Sequence, residues 1–201
     1  MRRLRLLRAL GGERGYSLIE MLIVLSIMSV VMGALTTVFV QASNSELDMN
    51  NRFQAQQESR LALDTMRREV HCANVATPNG LSSSVTITLP SWTNPDGTSG
   101  QCKTGSGSVT WCTRSVATNR YALYRVVGAT CSGGVKWADY LVPSSTASVC
   151  SGALCIFNYY PQSTTSLAEL HVDFPVNVKP SKSVEVYELS DDIVLRNSSR
   201  S

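Results

Sequence analysis

The apolar residues of this chain are concentrated in one uninterrupted run near the N-terminus. Twenty consecutive residues from Met21 to Val40 carry no charge, and Glu20 is the one charged residue between Tyr16 and Ser43. A helix over residues 16–40 would be about 37 Å long, which exceeds the roughly 30 Å hydrocarbon core of a bilayer. The pattern therefore predicts a membrane-spanning helix over residues 16–43.

A helical pattern of a different kind follows in residues 44–77. This segment contains no Pro, its first half is mostly polar, and its second half carries apolar side chains at spacings of three and four, namely Leu63, Met66, Val70 and Ala73. Such spacing places the apolar side chains on one face of a helix. We expect residues 44–77 to continue the first helix as an amphipathic segment whose second half packs on a sheet.

After Pro78 the chain changes to short β-type runs divided by Gly, Ser, Thr, Asn and Pro, which is typical of strands joined by turns. We predict strands at 84–89, 108–114, 120–128, 135–142, 154–160, 168–178 and 183–195, with a long loop over 91–108. The predicted fold is α+β, a long N-terminal helix packed on an antiparallel β head over residues 78–201.

The charge is unevenly distributed along the chain. Residues 1–15 hold five Arg and one Glu of the 18 basic and 15 acidic residues, so residues 16–201 carry 13 basic and 14 acidic residues and a net charge of −1. The basic segment precedes the apolar run, so the positive-inside rule keeps it in the cytoplasm and places the head outside. A nearly neutral head gives no support for strong phosphate binding, which leaves nucleic acid a disfavoured partner.

All six cysteines follow the apolar run: Cys72, Cys102, Cys112, Cys131, Cys150 and Cys155. This placement favours disulfides in an oxidising compartment. A zinc site is disfavoured because closely spaced Cys pairs with His partners are missing from the sequence, and we expect no metal. Six cysteines allow 15 connectivities. We predict three disulfides and favour Cys102 with Cys112, which would close the loop between two predicted strands.

Catalytic signatures are missing from the sequence: it has no G-x-S-x-G, H-E-x-x-H, G-x-x-x-x-G-K or S-x-x-K motif. We expect no enzymatic activity, no catalytic residue and no cofactor. His71 and His171 are interpreted as ordinary surface or packed histidines, and Asp191-Asp192 as a solvated turn that is too small a ligand set for calcium.

The junction between the basic segment and the apolar run is the most informative stretch. It reads Gly-Glu-Arg-Gly-Tyr-Ser-Leu-Ile-Glu-Met-Leu-Ile-Val-Leu over residues 12–25. An ordinary signal peptide would instead be cut after the apolar region, and a suitable Val40-Gln41-Ala42 site exists there. Against that alternative, a carboxylate at the entrance of the apolar run has no use in a segment that is discarded.

The stretch from Gly15 through Glu20 resembles the processing signature of type IV pilins and type II secretion pseudopilins. The resemblance implies that a prepilin peptidase removes residues 1–15 by cutting after Gly15 and that the new N-terminus, Tyr16, is N-methylated. Tyr16 stands where the family usually has Phe. The resemblance also implies an assembly role for Glu20, whose carboxylate would meet the N-terminal amine of a neighbouring subunit in the filament.

Residues 60–70 are similar to the helix of W-type minor pilins and J-type minor pseudopilins, and residues 193–197 to their terminal strand. We therefore expect a minor subunit that helps to initiate or cap a filament, first in the inner membrane and then in a pilus or pseudopilus at the cell surface. The implied partners are the prepilin peptidase, other pilin subunits and the inner-membrane assembly platform. The alternatives are an adhesive, DNA-binding or substrate-binding module at a filament tip, and a membrane-anchored enzyme.

Overall fold

The computed structural model describes residues 15–89, 107–180 and 186–198. Its first element is helix α1, Leu18–Cys72, of 55 residues. The chain divides into two compact units at Asp48 and Met49. The predicted leader, residues 1–15, lies outside the described residues apart from Gly15.

The first unit consists, in its described part, of the N-terminal portion of α1. It is the one helix in the described part of the chain that is long and apolar enough to cross a membrane. Each residue from Gly15 to Leu47 is exposed in the single chain. The hydrophobic pattern therefore predicted the helix correctly, and this helix fits a membrane anchor.

The second unit begins with the C-terminal part of α1, which packs on the sheet. Leu63 is 4% exposed, and Met66, Val70 and Ala73 are 0% exposed, so the predicted apolar face is confirmed. The helix ends at Cys72, short of the expected boundary at residue 77. The chain turns into a strand at Val75 instead, because this strand pairs with a later one and so satisfies its backbone hydrogen bonds.

Eleven strands follow the helix in the described residues. They are β1 (Val75–Thr77), β2 (Gly80–Ser82), β3 (Ser84–Leu89), β4 (Gly107–Ala117), β5 (Arg120–Val127), β6 (Val135–Leu141), β7 (Ser148–Cys150), β8 (Ala153–Cys155), β9 (Phe157–Tyr160), β10 (Glu169–Val176) and β11 (Tyr187–Val194). The main sheet has the order β1-β3-β4-β5-β6-β10-β9-β2, with β11 also paired to β10, and β7 and β8 form a separate hairpin. Every pairing is antiparallel, as predicted.

The structure corrects several predicted strand positions. The three-residue strands β1, β2 and β7 were not predicted, and the strand predicted over 154–160 is divided into β8 and β9 at Ile156. The carbonyl of Ile156 accepts a hydrogen bond from the Asp173 N–H at 2.9 Å. Most of the predicted loop over 91–108 lies outside the described residues, and Gly107 and Ser108 belong to β4.

Two disulfides join described cysteines, Cys112 with Cys131 and Cys150 with Cys155. Cys72 is disulfide-bonded as well, whereas Cys102 lies outside the described residues. The favoured pairing of Cys102 with Cys112 is therefore wrong. The physical reason is that the chain after β5 folds back over β4. There Arg114 of β4 donates to the Cys131 sulfur at 3.4 Å and to the Gly133 carbonyl at 2.6 Å, which brings Cys131 to Cys112.

Candidate functional site

The predicted processing junction lies where α1 begins. Gly15, Tyr16 and Ser17 precede the helix, and the Ser17 carbonyl accepts hydrogen bonds from the N–H groups of Glu20 at 3.0 Å and Met21 at 3.2 Å. Serine is a favoured residue just before a helix. The junction is thus an exposed, non-helical segment that leads directly into the apolar helix.

Glu20 occupies the first turn of α1. A negative charge is favourable there because the unpaired N–H groups give the helix N-terminus a partial positive charge. The sequence Ser17-Leu-Ile-Glu20 also fits the S-x-x-E capping box, in which a Glu or Gln three residues after the cap supports the first turn. Glu20 therefore has a local structural use as well as the implied role in assembly.

The apolar part of α1 exposes large side chains on all sides; Leu18 is 79% exposed and Phe39 is 75% exposed. Its hydroxyl groups are satisfied within the helix: Ser26, Ser29, Thr36 and Thr37 each donate to a carbonyl three or four residues earlier at 2.7–2.8 Å. A surface of this kind is stable only when lipid or other apolar helices cover it. It can serve first as a membrane anchor and then as a helix in a packed filament core.

The C-terminal part of α1 is joined to the sheet by a buried polar network around Glu69. The Glu69 carboxylate is 5% exposed and accepts hydrogen bonds from the Trp111 indole N–H at 2.7 Å and the Arg125 Nε at 2.8 Å. A second Arg125 nitrogen lies 2.6 Å from the same carboxylate. This arrangement fixes the helix against β4 and β5, because each buried polar group has a partner.

A second set of contacts joins α1 to the last strand and its continuation. Arg67 donates two hydrogen bonds to Asp191 at 3.0 and 2.8 Å. His71 Nδ1 lies 2.9 Å from the Val194 carbonyl, and the Asn197 side-chain amide donates to the Cys72 carbonyl at 2.8 Å. The prediction of a solvated turn at Asp191-Asp192 is wrong, because both residues lie within β11. Asp191 forms the ion pair with Arg67 of the helix.

An ion cluster around Asp139 joins β5 and β6. Arg120 donates to both Asp139 oxygens at 3.0 and 2.9 Å, and the Lys136 Nζ lies 2.8 Å from one of them. Burial alone would raise the pKa of Asp139, but hydrogen bonds from Arg120, from Lys136 and from the Tyr140 backbone lower the pKa to about 2. The carboxylate is therefore ionised in the folded head at neutral pH.

A groove with a volume of 440 Å³ lies on the sheet beside β9, β10 and β11, and its lining includes His171, Asp173 and Asp192. His171 contacts both carboxylates, Asp173 at 3.0 Å and Asp192 at 2.5 Å. Burial alone would lower the pKa of His171, but the hydrogen bonds and charges of Asp192 and Asp173 raise that pKa above its usual value. In the described residues no group of three or more His, Cys, Asp or Glu is arranged to hold a metal ion.

The structure places the predicted processing and assembly residues, Gly15, Tyr16 and Glu20, at one end of the chain within six residues. The candidate cysteines of the two described disulfides lie away from this junction along the chain, in the head, which those disulfides brace. Sequence reasoning missed the network of Glu69, Trp111 and Arg125, because its members come from three different elements. Nothing in their local sequence pattern indicates the contact.

The chain matches the family model for the prokaryotic N-terminal methylation motif over residues 11–36. The match to this motif supports a type IV prepilin-like family. The motif together with the α+β architecture supports a pilin-like or pseudopilin subunit, and it implies processing by prepilin peptidase and assembly with other pilins. No curated protein and no solved structure shows a significant similarity to the chain.

Proposed function

We propose that the protein is a minor pilin or pseudopilin that helps to initiate or cap a type IV pilus, a competence pilus or a type II secretion filament. In this proposal the leader is cleaved after Gly15 and Tyr16 is N-methylated. The head lies outside the inner membrane, and the assembly platform extracts the subunit into the filament. The observation that carries the proposal is the exposed apolar helix with Glu20 in its first turn.

The carboxylate of Glu20 needs a counter-charge when this helix lies in an apolar environment. A charged carboxylate costs roughly 2.5–3.5 kcal/mol at the centre of a membrane helix on insertion scales. The Tyr16 amine keeps its positive charge after methylation, so a neighbouring subunit can supply the counter-charge when apolar helices pack together. Pairing of this kind would set the position of one subunit relative to the next.

The minor-subunit assignment is supported by the two segments that resemble W-type minor pilins and J-type minor pseudopilins. Residues 60–70 contribute Arg67 and Glu69 to the contacts between helix and sheet, and residues 193–197 provide acceptor or donor groups to the end of the helix. Each segment thus takes part in holding the helix on the sheet, although the partners Asp191, His71 and Cys72 adjoin the two segments and do not belong to them.

A role in catalysis forms no part of the proposal. Nucleic acid is also a poor partner for the groove of the head, since Glu169, Asp173 and Asp192 line it and carboxylates repel phosphates.

The proposal is tested by comparing Glu20→Ala, Glu20→Gln and Glu46→Gln in the native host. Glutamine can still support the first turn of the helix in a capping box, but it has no charge to pair with an amine. We expect both Glu20 variants to be inserted and cleaved normally and to be depleted at least about tenfold from sheared filaments, the loss expected for a charge-assisted contact. Glu46 is exposed on the same helix, and Glu46→Gln should assemble normally.

The readout is the ratio of processed protein in the membrane fraction to protein in purified filaments. Normal incorporation of Glu20→Gln with loss of Glu20→Ala would show that Glu20 acts only as a helix cap. Normal incorporation of both variants would contradict the assembly role.

A further inference from the structure

The two halves of the main sheet differ in what covers the face opposite α1. Over β4 and β5, the loop of residues 128–134 lies on the sheet, held by the Cys112–Cys131 disulfide and by Arg114, whose guanidinium donates to the Gly133 carbonyl at 2.6 Å. Beside β9, β10 and β11 the same structure has the open 440 Å³ groove. The groove is therefore a sheet face that no described part of the chain covers.

Strand register explains which side chains line this groove. Leu170, Val172 and Phe174 of β10 are buried in the core, so the alternating residues Glu169, His171 and Asp173 lie on the opposite face. Cross-strand pairing then sets Tyr160 beside Glu169 and Asp192 beside His171. An aromatic ring and three carboxylates are thus brought to one surface from three strands.

The charges of the groove are only partly compensated. Its ionisable lining residues are Tyr160, Glu169, His171, Asp173 and Asp192, and the imidazole is the one basic group among them. His171 contacts Asp173 and Asp192, whereas the Glu169 side chain makes no ion pair or hydrogen bond within the described residues. The lining is therefore negative whether or not His171 carries a proton.

Tyr160 gives this negative surface a specific chemistry. Its side chain is 52% exposed, and its hydroxyl accepts a hydrogen bond from the Asn158 amide at 2.6 Å, which fixes the ring at the side of the groove. A cation that approaches the face of an exposed aromatic ring gains about 0.5–1 kcal/mol, and a hydrogen bond to a carboxylate adds roughly 1.5–3 kcal/mol. The pair of Tyr160 and Glu169 offers both interactions to one cation.

We propose that this groove binds a lysine or arginine side chain presented by another protein, with the cation between the Glu169 carboxylate and the ring of Tyr160. The inference goes beyond the proposed assembly function and does not depend on Glu20 or on the filament system. His171 acts as an internal competitor: its protonated ring partly neutralises the groove, so the external cation binds more tightly as the pH rises and His171 loses its proton.

The test uses the full chain in a zwitterionic detergent and a tetralysine peptide blocked at both ends. Binding is followed by the NMR signals of the imidazole rings, which are simple because the chain has two His. We expect the His171 signals to shift on titration and Glu169→Gln to weaken binding about tenfold, the effect of losing one charge-assisted hydrogen bond. Glu46→Gln changes the net charge equally and should bind within about twofold of the parent chain. The peptide with acetylated lysine side chains should not bind.

A second pair of variants separates the contribution of the Tyr160 ring to binding from any effect on folding. Tyr160→Phe keeps the aromatic face and should keep most of the affinity, whereas Tyr160→Leu should weaken binding about two- to fivefold. Equal affinities of Glu169→Gln and Glu46→Gln, or equal binding of the acetylated peptide, would show only non-specific attraction and would overturn the proposal.

Discussion

Asp139 shows how a single side chain can hold a region of the head together. It is 4% exposed and its carboxylate is surrounded by Arg120, Lys136 and the Tyr140 N–H. The cluster lies where the pairing of β5 and β6 is irregular, and Tyr140 has a φ of 62°, an uncommon value for a non-glycine residue. The bonds to Asp139 thus support a locally unfavourable backbone.

We predict that Asp139→Asn lowers the free energy of unfolding at neutral pH by roughly 2 kcal/mol, which follows from a carboxyl pKa of about 2 in the folded state. Because the folded pKa is depressed, the contribution is present above the unfolded pKa near 4 and is lost as the pH falls towards 2. Denaturant unfolding of the parent chain at several pH values should show this loss.

The matched control is Asp64→Asn, since the Asp64 side chain is 62% exposed and 3.6 Å from Arg67. An exposed pair of this kind contributes at most about 1 kcal/mol. Equal stability losses in the two variants, or an unchanged acid dependence in Asp139→Asn, would contradict the account of this cluster.

At the scale of elements, the attachment of α1 to the sheet depends on the Glu69 network. Glu69→Gln keeps an acceptor for Trp111 but leaves the guanidinium of Arg125, whose side chain is 17% exposed, without its counter-charge. Breaking a buried pair on one side costs roughly 3 kcal/mol. We predict a lower denaturation midpoint, measured by tryptophan fluorescence, and a partial recovery in the double variant Glu69→Gln/Arg125→Met.

Glu58→Gln makes the same change at an exposed position of the helix and should leave the midpoint nearly unchanged. A Glu69→Gln chain as stable as the Glu58→Gln chain would show that the buried network does not hold the helix on the sheet.

The elements also show how far the sequence predicts this fold. The long helix, its apolar face and strands such as β3 and β5 follow from hydrophobic periodicity, which is a local signal. The strands β1, β2 and β7 have three residues each, too few for a periodic pattern, and they exist because distant strands pair with them.

The candidate sites divide in the same way. The junction from Gly15 to Glu20 is contiguous and was found from its residues, whereas Glu69 and Trp111 are 42 residues apart and Glu69 and Arg125 are 56 residues apart. The pairing of Cys112 with Cys131 likewise depends on how the chain folds back after β5. Contacts of this kind require the tertiary fold.

At the scale of the whole molecule, one apolar helix and one disulfide-braced head suit two environments in succession. In the proposed function, lipid covers the exposed helix before assembly and other helices cover it afterwards, while the head folds around its own core. That change of environment would require that the basic leader be removed and that Glu20 remain. An ordinary signal peptide would remove both.

The most direct test of the central claim is the intact mass of the protein isolated from the native membrane. We predict a chain that begins at Tyr16, carries one methyl group on its amine, and lacks the masses of residues 1–15. A chain that begins at Ser43, after the alternative Val40-Gln41-Ala42 site, would show that the apolar helix is a discarded signal peptide, and it would contradict both the anchor and the filament subunit proposed for this protein.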